Sequence, residues 1–496
     1  MITNIKLLTP SSDDLLTLNK HTNNHLFQYV KVGLGNIGVV VECTLKCVPE
    51  ITLVETTSIL DREVFAVEEH IERLKNYRHV RYMWIPYTNT VVNVISNPTQ
   101  PSPTTGTAST TAGTVGDSTG RVHPTTLSAT ATDSVPYTTH PTPHTPHPTK
   151  PLYELVIKSH PNNTLSLPQL QALSFSQLRD ILLDISPLDL SHIQQVNRAE
   201  AQYWSNIQGI RYDKSVNILG FDCGGEQWVY EVCIPMGPLP TTTAHTTAPQ
   251  SPGSGTSTVP TASEGKGKQS SKDISFLREL LELIESSGIP APSPIEQRWT
   301  GPSEAYMSPA YSPTASPTST TEAATPVEPE VFTWVGVIMY LPPSQSDADR
   351  ARIAEAFRAY CDLIDPLVKK YGGYPHWAKL ELPYIPDTTP TPPTTPTTHT
   401  DDISSSTNTT NSHSSNESSI NSSSMSDIGS GSSTSSSSSS SSSKVDYDRL
   451  VKLREYYHKK FPMKEYREIC HNYDPHHILS NEMMDLLFEL QESDED

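Results

Sequence analysis

Cysteine is scarce in this sequence, with six in 496 residues. None of Cys43, Cys47, Cys223, Cys233, Cys361 and Cys470 stands in CxxC spacing. That excludes a zinc ribbon or knuckle, supplies no disulfide framework, and fits a reducing compartment. Basic charge is short as well: 35 Lys and Arg stand against 55 Asp and Glu, a net charge of −20. Such a balance argues against a nucleic-acid backbone as partner. Long apolar runs are missing. The most apolar stretch, Trp334 to Leu341, is far shorter than the roughly 20 residues a membrane helix needs. The opening residues, Met1 to Pro10, have neither the basic region nor the apolar core of a targeting peptide, and they read as a strand entered in mid-domain.

Proline, serine and threonine are abundant. The chain has 43 prolines, and four stretches (98–150, 241–271, 314–329 and 387–443) are dominated by Pro, Thr and Ser, with His in the first. They are read as disordered insertions, because they hold too little apolar surface to offset the entropy of ordering. The histidines of the first (His123, His140, His144, His147) are not assigned to a metal, since nothing fixes their geometry. No metal site is expected anywhere in the chain.

Between the insertions the pattern mixes strands and helices. Ile5 to Leu8 reads as a strand, Pro10 to Asp14 as a turn, and His25 to Val32 as a short helix. Gly33-Leu-Gly-Asn-Ile-Gly38 then spells GxGxxG. A dinucleotide fold would need a helix next, whereas Val39 to Leu45 is β-branched and strand-like; the glycines are read as allowing close approach of backbone to something lying on the strand. Strands are expected over Thr52–Thr56, Val80–Ile85 and Thr90–Ile95, with a helix over Arg62–Tyr77 whose stripe is Val64, Val67, His70, Ile71 and Leu74. Helices follow over Leu173–Leu183 and Val196–Trp204. Asn217–Gly225 and Gln227–Ile234 read as a strand pair, with Gly224-Gly225 marking a bulge or a close ligand approach beside Cys223. Asp273–Glu285 is a helix with Ile274, Leu277, Leu281 and Ile284 on its buried side. Phe332–Leu341 is a central strand, and Ser346 caps a helix running through Ile353 and Phe357. The chain ends in helices. Together these segments predict an α+β fold.

One stretch concentrates polar chemistry. Ile289-Pro-Ala-Pro-Ser-Pro-Ile-Glu-Gln-Arg-Trp299 delivers a carboxylate and a guanidinium two residues apart, and in a strand positions i and i+2 share a face. Glu296 and Arg298 therefore point to one place, and Trp299 to the other side. The pattern alone fits a structural ion pair on a sheet edge as well as a ligand-facing pair. His376 and Lys379, around Trp377, are a second ionisable group.

These strings resemble a known family, the aldonolactone oxidoreductases of the vanillyl-alcohol-oxidase flavoprotein class. The resemblance is carried by Gly33-Leu-Gly-Asn-Ile-Gly-Val-Val with Cys43-Thr-Leu-Lys-Cys, by Trp84-Ile-Pro-Tyr-Thr-Asn-Thr-Val-Val, and by Leu219-Gly-Phe-Asp-Cys-Gly-Gly. Ile289 to Thr300, His376-Trp-Ala-Lys and Asp474-Pro-His-His-Ile-Leu-Ser-Asn complete it. It implies that residues 1–50 are the tail of a VAO/PCMH-type FAD-binding domain and 51–386 an α+β cap (substrate) domain with an antiparallel sheet, followed by the 387–443 insertion and a helical segment, 444–496. It implies FAD contacts at Gly33, Gly35, Gly38, Val39 and Val40, and a substrate pocket at Cys223 and Gly224. Glu296 and Arg298 would hold the lactone hydroxyls, with Lys379 a cation near the flavin and His376 beside it among the catalytic groups.

The reaction implied is oxidation of a sugar lactone by hydride transfer to flavin, in the plant branch L-galactono-1,4-lactone to L-ascorbate, with oxygen-using lactone and alditol oxidases as the alternative. Cytochrome c as acceptor, an association with respiratory complex I assembly, and a mitochondrial inner-membrane location are further implications. The upstream half of the flavin domain is not recognised in this sequence, so the expectation divides between part of a longer enzyme and a cap acting as an assembly protein.

Overall fold

The structure, a computed structural model, describes residues 1–99, 147–160, 164–220, 225–240, 271–292, 294–313, 330–379 and 445–490. The four expected insertions lie outside these residues except at their margins, and so do Cys223 and Gly224. Met1–Glu381 with Tyr457–Asp496 forms one compact unit, and Leu382–Tyr456 a second. Of the second, residues 445–456 are described; they enter a helix at Tyr447.

Two antiparallel sheets carry the first unit. The smaller has strands β1 (Ile2–Thr9), β2 (Ser12–Asn19) and, beyond helix α1 (Asn24–Val30), β3 (Val39–Leu45), in the order β2-β1-β3. The turn expected over Pro10–Asp14 is only Pro10-Ser11; Ser12 already pairs with Thr9. Its polar start, Ser-Asp-Asp, is exposed, which sheet pairing tolerates on an edge strand.

The larger sheet is built from β4 (Thr52–Asp61), β5 (His79–Trp84), β6 (Thr90–Pro98), β7 (Gly209–Lys214), β8 (Gln227–Pro238), β9 (Ile295–Thr300), β10 (Glu330–Tyr340) and β11 (Tyr374–Pro375). Its order is β11-β8-β10-β9-β5-β6-β4-β7. The helices are α2 (Val67–Asn76), α3 (Lys150–Ser159), α4 (Leu167–Gln171), α5 (Phe175–Ile185), α6 (Leu190–Asn206), α7 (Ser215–Leu219), α8 (Lys272–Ser287), α9 (Asp347–Lys370), α10 (Tyr447–Lys460), α11 (Met463–Tyr473) and α12 (Glu482–Phe488). The α+β expectation holds.

Residue parity divides the two faces of the large sheet. Tyr82, Trp84, Ile295, Val335, Val337, Val232 and Ile234 face α8 and α9, and meet Ile274, Leu277, Leu281, Ile284, Phe357 and Ile364 in the main core. The α8 stripe is the one its periodicity predicts. The helix stops at Gly288, whose φ of 67° is open to glycine at little cost. On the opposite face, α6 lays Ala201 and Trp204 against Met83, Val92 and Val94. There α3, α5 and α6 also enclose Tyr340. The middle of that second face, around β9, stays polar.

Two sequence expectations are corrected here. The helix expected from Arg62 starts at Val67, and Val64 is 77% exposed; Arg62 is instead drawn to Glu285 in a two-pronged ion pair, 2.7 and 3.1 Å. The strand expected over Asn217–Gly225 is, in its described part, the short helix α7. After β7 the chain turns there, closed by Asn217 donating to the Asp213 carboxylate at 2.9 Å and by Gly220 N–H donating to the Val216 carbonyl at 3.0 Å. A five-residue stretch with Val216, Ile218 and Leu219 as its apolar residues fits either element, and local turn bonds decide it.

Candidate active site

β9 sits between β10 and β5, and the register fixes its neighbours. Arg298 is opposite Arg81 on one side and Trp334 on the other; Glu296 is opposite Met83 and Gly336. One strand further on, Trp334 and Gly336 pair with Cys233 and Glu231 of β8. Glu296, Arg298, Arg81, Trp334, Gly336 and Glu231 therefore share one face. The same-face reading of Glu296 and Arg298 is correct, and each is also bridged to another strand, Glu296 to adjacent β5 and Arg298 across β10 to β8. Arg81 Nη1 lies 3.5 Å from Glu296 Oε1, and the Arg298 guanidinium makes a short ion pair with Glu231. Cation and anion alternate across β5, β9 and β8.

Gly336 lies in the middle of this array. A Cβ built on it would meet no atom within 4 Å, so the strip of sheet between Glu296 and Glu231 is open. Trp334 stands beside the strip, its indole N–H donating to Thr300 Oγ1 at 2.9 Å and its ring 6.0 Å from the His376 ring. His376 is tied to the same place, since its backbone N–H donates to the Glu231 carbonyl at 2.8 Å. Its Nδ1 accepts from Ala378 N–H at 3.1 Å, which leaves Nε2 to carry the proton of the neutral ring.

Lys379 closes the tight turn Trp377–Lys379, its backbone N–H donating to the His376 carbonyl at 2.8 Å. The turn is anchored by Trp377, which is buried, donates to the Met307 carbonyl, and packs on Tyr457, Phe461 and Phe488. A cavity of about 430 Å³ opens at the strand ends next to Arg298, lined also by Arg78, His79, Arg81, Glu55 and Ser96. Burial raises the Glu55 pKa, opposed by Arg211 and Arg81.

Behind β9 lies a fully buried polar cluster. His70 Nε2 is 3.0 Å from Asp273 Oδ2 and its Nδ1 is 3.1 Å from the Tyr82 hydroxyl. Trp299 donates to the same Asp273 oxygen at 2.9 Å, and Gln297 takes a hydrogen bond from Trp84 at 2.9 Å. Burial opposes ionisation of Asp273, but hydrogen bonds from His70, Ser271 and Trp299 outweigh it and hold its pKa below the usual value. The odd-numbered side of β9 is thus pinned by hydrogen bonds, which orients the even-numbered side.

The residues assigned to FAD lie in the smaller sheet. A Cβ at Gly38 would fall 2.7 Å from Leu7 Cγ and from the Leu8 carbonyl, so contact with β1 accounts for this glycine without a ligand. Gly33 gives its carbonyl to the Tyr466 hydroxyl at 3.0 Å and packs on Ile37. Gly35 takes φ +87° in open space. Val39 and Val40 are about half exposed, 51% and 48%. Between them and Gly35, Asn36 is buried to 2%, and neither amide atom has a hydrogen-bond partner of good geometry among the described residues, although it lies beside the Tyr466 hydroxyl. A glycine at positive φ in open space beside exposed strand leaves backbone within reach of a ligand. Among the described residues no group of His, Cys, Asp or Glu has the arrangement of a metal site.

Glu231, Arg81 and Gly336 are not found by reading motifs. A signal existed: each charge stands alone in an apolar strand, Trp228-Val-Tyr-Glu-Val-Cys-Ile234 and Val80-Arg-Tyr-Met-Trp84, and a lone mid-strand charge demands a cross-strand partner.

Residues 270–487 match the family model described as ALO, D-arabinono-1,4-lactone oxidase. The L-galactono-1,4-lactone dehydrogenase 1, mitochondrial, of Oryza sativa subsp. japonica is 34% identical over 384 residues, covering 77% of this chain and 54% of that protein. The L-galactono-1,4-lactone dehydrogenase, mitochondrial, of Brassica oleracea is 30% identical over 485 residues, 98% of this chain and 60% of that protein. The chain thus spans between half and two thirds of the length of these curated relatives. Among solved structures, a solvent-stable cholesterol oxidase aligns over 98% of this chain and 69% of its own, at a TM-score of 0.48 and 13% identity. The stretch matched by the family model contains Glu296, Arg298, His376 and Lys379, and the similarity to the plant L-galactono-1,4-lactone dehydrogenases extends over 77% to 98% of the chain.

Proposed function

We propose that this protein is the substrate-binding part of a flavin-dependent oxidoreductase that oxidises an aldono-1,4-lactone, L-galactono-1,4-lactone to L-ascorbate. The observation that carries the proposal is the row of alternating charges, Arg81, Glu296, Arg298 and Glu231, around the open strip at Gly336. A sugar lactone is uncharged and rich in hydroxyls, each of which both donates and accepts. A row of carboxylates and guanidiniums at strand spacing matches such a ligand with charge-assisted hydrogen bonds.

FAD, when bound, supplies the two-electron acceptor. Gly35, Val39 and Val40 would offer it open backbone and an apolar strand on this chain's side. Arg298 holds the lactone oxygens and supplies positive charge where negative charge grows. Glu296 orients the reacting hydroxyl and accepts its proton at the carboxylate. Lys379 contributes a second cation on a turn fixed by Trp377. His376, with Nδ1 engaged, presents Nε2–H as a donor.

The family resemblance supports cytochrome c as electron acceptor and a mitochondrial inner-membrane location, with a part in complex I assembly; no helix among the described residues is long and apolar enough to cross a membrane. The test is the visible spectrum of the purified chain supplied with FAD, before and after adding L-galactono-1,4-lactone. Retained flavin that bleaches with the lactone is the expected result. A folded protein that retains no flavin and leaves the lactone unchanged would refute the oxidoreductase reading for this chain.

A further inference from the structure

We propose that Glu231 and Gly336 form a lactone seat: the ring lies on the strip above Gly336, and Glu231 receives hydroxyls on the side facing away from Glu296. This rests on the proposed lactone function and deepens it. Three observations support it. Gly336 is in register with Glu296 on β9 and with Glu231 on β8, so the glycine is the floor midway between two carboxylates. The space above it is open, with no atom within 4 Å of a built Cβ, while its neighbours Val335 and Val337 are buried on the other face.

Glu231 itself is held at both ends. Its carboxylate meets the Arg298 guanidinium, and its backbone carbonyl accepts from His376 N–H. Its side chain is 12% exposed, against 48% for Arg298, so Glu231 sits low in the wall and Arg298 stands over the opening. A carboxylate has two oxygens and about four acceptor positions. One oxygen engages Arg298, and the other can accept from ligand hydroxyls while Arg298 donates to their oxygens. That is a receptor for adjacent hydroxyls. A ligand without them would cover a largely buried carboxylate without replacing its water, which is the arrangement that rejects an analogue lacking a hydroxyl.

Gly336 is a space requirement rather than a conformational one. A methyl group here meets no protein atom, so Gly336→Ala should leave the fold intact or slightly firmer, because it narrows the unfolded chain's freedom. It would still raise the floor under a bound ring.

The experiment is calorimetric titration of the full chain, with and without added FAD, using L-galactono-1,4-lactone and the hydroxyl-free γ-butyrolactone. Wild type is expected to prefer the hydroxylated lactone. Glu231→Gln should reduce that preference by about tenfold or more. Gly336→Ala should weaken L-galactono-1,4-lactone about fivefold with no fall in Tm. If both variants bind like wild type while Glu296→Gln abolishes binding, the seat is wrong and the lactone function stands. If wild type shows no preference for the hydroxylated lactone under either condition, the lactone function fails and the seat with it.

Discussion

The two sheets of this protein are finished to different degrees. The eight-stranded sheet is covered by α8 and α9 on one face and largely by α3, α5 and α6 on the other, and the polar groups left between those helices are paired across strands. The three-stranded sheet has α1 on one side, and every residue of β3 is exposed, including Val39, Val40 and Val41 at about half of their surface. Apolar surface left this bare means something about the region. The contrast teaches where rigidity resides: the charged groups proposed to face the lactone stand on a closed core, while Val39 and Val40, proposed to face the flavin, stand on an open strand.

The largest effect should come from cutting the support behind β9. Asp273→Ala leaves His70 and Trp299 without their shared acceptor inside the core and is expected to cost about 3 to 5 kcal/mol, measured by urea unfolding. The same residue sets an acid limit. Because its folded pKa is lowered, its stabilising contribution is present above the ordinary carboxyl value of 3.8 and is lost as pH falls through the lowered folded value. Asp273→Asn should therefore flatten the acid edge of the stability profile, and an unchanged edge would remove Asp273 as its cause.

Arg298→Ala should separate function from fold. In flavin-loaded protein kcat/KM for the lactone should fall by about 3 kcal/mol, with urea unfolding near that of wild type; unimpaired turnover would take Arg298 out of the site. Gly38→Ala probes the smaller sheet, where the new methyl group would press on Leu7 and the Leu8 carbonyl. Overpacking of this kind costs about 1 to 3 kcal/mol, read as a lower Tm. The smallest effect is expected at Val40→Thr, within about 0.5 kcal/mol, because the side chain is already in solvent; a large loss of stability there would erase the contrast between the sheets.

Much of this was legible in the sequence wherever the cause is local. The i, i+2 spacing put Glu296 and Arg298 on one face, the 3.6 periodicity marked the stripe of α8, and Ser346 announced α9, where its hydroxyl accepts from Asp349 N–H at 3.2 Å. Long-range causes were invisible. Glu231 meets Arg298 across 67 residues of sequence, and only the register of β8, β10 and β9 brings them together. β2 was hidden by its turn-like start, and α7 resembled a strand because Val216 and Ile218 fit either element until Asp213 and Asn217 bond. Lys379 could be located by resemblance, but its anchoring through Trp377 to Phe461 and Phe488 depends on packing with residues far along the chain.

The charges around Gly336 number two of each sign, so the row is electrically neutral. A neutral row exerts little pull of its own from a distance, so any long-range attraction that added salt could screen would come from Lys379 beside it. Its selectivity would come from hydroxyl geometry at contact, and by the same reasoning a ring-opened aldonate brings a negative charge for which the four groups hold no spare countercharge. The closed lactone fits without that imbalance.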